Sequence, residues 1–223
     1  MPALFIFFAL FASASEIRLD APNTTHGFVS VNIPDGAPPA EGHPVCFWYH
    51  GTGGHPNTGP LRWRGHPDMI AVGMAYAHKN DTIEGRARNN WAECMRVIEQ
   101  VAKKTKVDRA RVFVGGFSRG GWMAASIADM RPAGLRGAII GGAGKSGEML
   151  GRGGKTERPL AILVLVGEID ENFSASQEAL RYFRGIGADV HYEEFRRQGH
   201  VLQRTPRIHN WLHVHLGSPD PAA

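Results

Sequence analysis

Residues 111–123 read Arg-Val-Phe-Val-Gly-Gly-Phe-Ser-Arg-Gly-Gly-Trp-Met, and this stretch decides the fold. The run Arg111 to Val114 is β-branched and aromatic and predicts a strand. From about Arg119 to Met130 the pattern predicts a helix. Between them Gly116-Phe117-Ser118-Arg119-Gly120 has the G-x-S-x-G form, a sharp turn that exposes a serine hydroxyl above the end of a sheet. The turn works only if strand and helix approach closely, so the positions two before and two after the serine must lack side chains. Gly116 and Gly120 meet that demand, and Gly121 eases the packing further. A glycine-rich turn with an incidental serine is the plain alternative, and the placement between strand and helix argues against it.

Working outward, the same chemistry needs other parts at set places. Backbone N–H donors for a developing oxyanion should come from the residue after the serine and from the loop after an earlier strand. The apolar run Val45 to His50 ends in His50-Gly51-Thr52-Gly53-Gly54, so the donors fall on Thr52 and Arg119. An acid should follow the next strong strand, Leu160 to Val166, which runs into Gly167-Glu168-Ile169-Asp170-Glu171. Asp170 is the choice, because the G-x-x-D form sets a short carboxylate beyond the turn; Glu168 and Glu171 read as surface charges. A histidine should come last, and His200 follows a strand at Asp189 to Phe195, with Gly199 allowing a tight loop. Ser118, Asp170 and His200 thus stand in the order nucleophile, acid, base.

The remaining segments fit one α/β domain. Further strands are expected at Gly27 to Ile33, Met69 to Tyr76, where Gly73 interrupts the run, and near Leu135 to Ile140. Apolar residues from Asn89 to Thr105 recur at helical spacing, and two more helices are expected at about Ser174 to Gly185 and Thr205 to Leu216. Strands alternating with helices predict a doubly wound, mostly parallel sheet with helices on both faces. The chain has 223 residues, 43% hydrophobic and 21% charged, enough for one sizeable core. Only Gly141 to Arg158 separate two of the strands, too few for a lid domain, so an open site that accepts bulky or polymer-attached substrates is expected.

Composition excludes other readings. The net charge of +4 is dispersed among acids, with no basic stripe, so no nucleic-acid partner is expected. Gly141-Gly142-Ala143-Gly144-Lys145-Ser146 resembles a phosphate loop, but that motif needs glycine where Ile139 stands. His209 and His213 share a helix face without the glutamate of a zinc protease, so no metal is expected, and the chemistry needs no cofactor. His50 flanks the oxyanion loop; His26, His43, His55, His66, His78 and His191 read as loop or surface residues. Residues 1–14 combine an apolar core from Leu4 to Ala12 with Ala12-Ser13-Ala14, which reads as an export signal cleaved near Ser15, leaving a single domain over 15–223 in a secreted or periplasmic protein. The apolar run is too short to span a bilayer, so no stable membrane insertion is expected once it is removed. Cys46 and Cys94 are permitted to pair in that compartment, and two buried thiols explain them equally well.

The HGTGG loop, the VDRARVFVGGFSRGG segment, the VGEIDEN turn and the QGH loop together resemble the α/β-hydrolase superfamily. The likeness is to its small esterase group of polyhydroxybutyrate depolymerases, feruloyl and acetylxylan esterases and dienelactone-hydrolase relatives, and it covers about Val45 to Leu216. It implies an ester hydrolase without a cofactor, acting on carbohydrate or polyester esters, with the elbow serine, the acid and the late histidine falling on Ser118, Asp170 and His200. The chain departs from that group in its short connection between the oxyanion loop and Met69, and in Arg119 where a small or apolar residue often follows the serine. A peptidase or acyltransferase with the same triad, or a binding protein that kept the fold, remain alternatives.

Overall fold

The computed structural model describes residues 16–62, 68–78, 82–146, 159–202 and 206–216, the last segment by its backbone alone over 206–209. The expected leader therefore lies outside the described residues, as does most of the segment between Gly141 and Arg158. Among the described residues eight strands form one sheet: β1 (Glu16–Asp20), β2 (Phe28–Asn32), β3 (His43–Tyr49), β4 (Ile70–Met74), β5 (Val107–Phe117), β6 (Leu135–Gly141), β7 (Ala161–Gly167) and β8 (Asp189–Phe195). Among the described residues four α-helices accompany them: α1 (Ile83–Val101), α2 (Arg119–Met130), α3 (Phe173–Gly185) and α4 (Pro206–Leu216).

The spatial order is β1-β2-β4-β3-β5-β6-β7-β8. The pairings β1/β2 and β2/β4 are antiparallel, and all others are parallel. Strands β3, β4 and β7 are buried along their whole length, which is why they read as unbroken apolar runs rather than alternating ones. The pleat divides β3 between two cores: Val45, Phe47 and Tyr49 face α1, α2 and α3, whereas Cys46 and Trp48 face the side where Trp211, Leu212 and Leu216 of α4 pack. Each fully buried aromatic or branched side chain contributes about 1.5–3 kcal/mol by leaving water.

That division corrects the pairing considered for the cysteines. Both are free and buried; Cys46 lies under the α4 face, while Cys94 projects from α1 into the opposite core beside the Tyr49 hydroxyl, 3.3 Å away. The sheet stands between the two sulfurs. Burial pushes the Cys94 thiol up to about 12 and holds the Cys46 thiol far above the usual range, so neither supplies a thiolate near neutral pH.

Other boundaries differ for physical reasons. Helix α1 starts at Ile83 rather than near Asn89, because Thr82 caps it by accepting from the Gly85 amide at 3.0 Å. Its first turn buries almost nothing and so leaves no apolar signal. The edge strand β1 was not expected, although its Glu-Ile-Arg-Leu-Asp alternation is that of a half-buried strand. Gly73 lies within β4 instead of breaking it: a Cβ there would stand 2.3 Å from the Asn57 backbone, so the glycine lets the loop after β3 close over the strand. His43, expected near the surface, is fully buried at the start of β3, with Nδ1 3.4 Å from Asp68.

Candidate active site

The carboxyl ends of β3, β5, β7 and β8 lie along one edge of the sheet, with β6 between β5 and β7, and each runs into one of the segments singled out from the sequence. Ser118 follows β5 directly and caps α2 with φ 55° and ψ −123°, a conformation costly for any residue with a side chain. Two contacts hold it there. The Ser118 amide donates to Gly141 O at 2.8 Å, and Trp122 N donates to Ser118 O at 3.1 Å. The flanking glycines explain how the turn closes. A Cβ on Gly116 would come within 2.3 Å of the Gly120 backbone, and one on Gly120 within 2.0 Å of Tyr49 O, so helix, strand and the end of β3 touch backbone to backbone.

Asp170 and His200 are brought together from loops 30 residues apart. His200 Nδ1 lies 3.0 Å from Asp170 Oδ1 and 2.9 Å from Oδ2. An imidazole nitrogen facing two carboxylate oxygens must carry the proton for the contact to attract, which leaves Nε2 as the acceptor. The Asp170 side chain is 1% exposed and that of His200 28% exposed, so the acid is sealed and the ring keeps one open edge. The carboxylate is held from behind as well: the Asn172 amide donates to Oδ1 at 2.8 Å, and the Asp170 amide donates to Gly167 O at 3.1 Å.

The ring of Phe117, the residue before the serine, lies 4.7 Å from the His200 ring at an interplanar angle of 33°. This stacking ties the histidine loop to the elbow. The loop after β3 closes from the other side, since a Cβ on Gly51 would sit 3.6 Å from Ser118 Cβ. Gly54 N donates to Gly51 O at 3.1 Å and turns the loop tightly. Thr52 is exposed on it, and among the described residues neither the Thr52 nor the Arg119 amide donates to a protein acceptor. Both remain available to an incoming oxygen.

Two groups escaped the sequence reading. Asn172 donates through Nδ2 to Gly142 O at 3.1 Å and so anchors the acid loop to the segment after β6; the Asp-x-Asn spacing of a side-chain-capped turn was its signal. Tyr76 donates to His50 O and lies beneath the Arg119 guanidinium, 4.2 Å from its ring centroid. His50 is buried between Tyr76 and His26, and burial holds its pKa below the ordinary histidine range. Glu168, set aside as a surface charge, is exposed and accepts from the Arg197 amide at 2.8 Å; Glu171 is exposed too. The glycine-rich segment after β6 supports the acid loop through the Gly142 carbonyl. Among the described residues no group of three His, Cys, Asp or Glu side chains is placed to hold a metal, and no helix is long and apolar enough to cross a membrane.

No family model matches the chain, and no curated protein matches it in sequence. Solved structures do match. Fluorophosphonate-binding serine hydrolase F of Staphylococcus aureus aligns over 92% of this chain and 98% of its own, with a TM-score of 0.63 at 11% identity. The chain has the α/β-hydrolase fold. A feruloyl esterase module of Clostridium thermocellum, complexed with sinapinate, covers 91% of this chain and 84% of its own, with a TM-score of 0.63 at 14% identity. A Pyrobaculum calidifontis esterase covers 83% and 76%, with a TM-score of 0.59 at 14% identity. Within an α/β-hydrolase fold, the carboxyl edge of the parallel strands is where ligands meet the protein, and Ser118, Asp170, His200 and the Gly51–Gly54 loop all lie along that edge.

Proposed function

We propose that this chain is a serine hydrolase that cleaves carboxylic esters through an acyl-enzyme, with Ser118 as nucleophile, His200 as general base and Asp170 orienting the imidazole. The observation that carries the reading is the two-oxygen contact of Asp170 with His200 Nδ1 beside a serine held at positive φ. His200 Nε2 takes the Ser118 proton as Oγ attacks the ester carbonyl; the oxyanion rests on the Thr52 and Arg119 amides; His200 then returns the proton to the departing alcohol. Water activated by the same nitrogen releases the acid and restores the serine. The esters of carbohydrates and polyesters are the proposed substrates. The short connection between β6 and β7 and the feruloyl esterase among the structural neighbours support that choice.

A panel of 4-nitrophenyl esters, acetylated xylan, feruloylated sugar and hydroxybutyrate oligomers tests the proposal, with peptide amides as the contrast. Hydrolysis of at least one ester, lost in Ser118→Ala, is expected. Turnover of amides alone would assign a peptidase. The proposal extends to export: N-terminal sequencing of protein from its native host should begin at Ser15 or Glu16, and a soluble cytoplasmic chain retaining Met1 would contradict it.

A further inference from the structure

Beside the elbow lies a cavity of about 460 Å³, lined by Ile83 and Arg86 of α1, Arg119, Trp122, Met123 and Ser126 of α2, and Lys145 and Ser146 after β6. That volume suits a small organic group. Its floor is apolar, with Ile83, Trp122 and Met123 half-buried. Its rim is cationic. Arg86, Arg119 and Lys145 all reach it, and no described carboxylate lines it.

Among the described residues no carboxylate pairs with Arg86, Arg119 or Lys145. Arg119 lays its guanidinium plane over Tyr76, 4.2 Å from the ring centroid, and Lys145 Nζ stands 5.1 Å from the Tyr182 centroid. Stacking fixes these cations in position while leaving guanidinium and ammonium N–H groups for an acceptor. Like charges gathered around one apolar floor repel each other unless an anion joins them.

We infer that this cavity binds a carboxylate-bearing part of the substrate, an anion with an apolar or aromatic body that lies on Trp122 and Met123 while Arg86, Arg119 and Lys145 hold the charge. The inference rests on the hydrolase reading and narrows it. Arg119 belongs to both places, its amide to the oxyanion site and its side chain to the cavity, so the anionic group sits a few bonds from the ester. Within the proposed substrates this selects carboxyl-terminated polyester fragments and esters of acidic carbohydrates over neutral ones.

Two matched pairs of esters test it, one for each side of the bond. The first compares 4-nitrophenyl hexanoate with mono-4-nitrophenyl adipate; the second compares phenyl acetate with the acetate ester of 4-hydroxyphenylacetate. At low salt, kcat/KM should favour the carboxylate member of at least one pair by about tenfold, and the preference should shrink as salt is added. Arg86→Gln combined with Lys145→Gln should abolish the preference and leave turnover of the neutral esters unchanged. Equal or better turnover of both neutral esters, or a preference that survives the double substitution, would overturn the inference. Calorimetric titration with 4-phenylbutyrate reads the cavity without turnover: saturable binding, weakened about tenfold in the double variant, is expected. Hydrolysed esters without such binding defeat the cavity and spare the hydrolase; binding without hydrolysis of any ester does the reverse.

Discussion

Two histidine–carboxylate pairs occupy the same end of the sequence and nearly the same range of contact, yet only one belongs to the proposed site. His200 meets Asp170 at 2.9 Å through Nδ1, and His191 meets Glu193 at 2.7 Å through Nε2. The second pair is the closer one. It requires only the pleat of β8, which sets residues two apart on one face, and its histidine is 53% exposed. The first pair requires loops after β7 and β8 to converge, seals its carboxylate, and stacks its ring on Phe117 next to the strained serine. A short contact therefore does not make a catalytic pair. What sets the His200 pair apart is its surroundings: a sealed carboxylate with two oxygens on Nδ1, and a ring lying on the residue before Ser118.

The comparison can be broken most directly at the histidines. His200→Ala, like Ser118→Ala, should lower kcat by about 10⁴-fold or more, and the double variant should be little worse because the residues act as one unit. His191→Ala should leave ester hydrolysis within about twofold. The carboxylates give the next largest contrast. Asp170→Asn should cost up to about 10⁴-fold with the fold intact, since only an acid bonded to the imidazole holds its tautomer. Glu193→Gln, Glu168→Gln and Glu171→Gln should retain most activity; a dead glutamate variant beside a near-normal Asp170→Asn would move the acid.

Stability sharpens the same contrast between the site and the rest. Gly120→Ala drives a Cβ to 2.0 Å from Tyr49 O and should destabilise the protein by about 1–3 kcal/mol or more, read by urea denaturation. Gly185→Ala, with nothing within 4 Å at the end of α3, should stabilise it by about 0.4–1 kcal/mol. The smallest effect concerns histidines in neither pair. Burial lowers the pKa of His50 and of His215, so on acidification the unfolded chain takes up their protons first. Their contribution is whole above the ordinary histidine range and is lost as pH falls through it toward the lowered values; urea midpoints should drop between pH 7.5 and 5.5, and His215→Gln should flatten that slope.

The parallel core was legible because its strands are buried on both faces and read as apolar runs, and the elbow because close backbone contact leaves glycine little competition. Asp170 was legible as one acid among three only through its spacing from β7. What stayed hidden was long-range or lacked an apolar signature: the polar first turn of α1, the charged edge strand β1, the two sides of the sheet that separate Cys46 from Cys94, and the Tyr76–Arg119 stack that shapes the cationic cavity. Each depends on which elements meet in space.

The central claim is that Ser118 is an activated nucleophile, and covalent labelling tests it without any choice of substrate. Incubation with a fluorophosphonate followed by peptide mass spectrometry should place one adduct on Ser118, with labelling lost in Ser118→Ala and strongly slowed in His200→Ala. A wild-type protein that takes up no label, or a Ser118→Ala variant that labels at the wild-type rate, would contradict the mechanism.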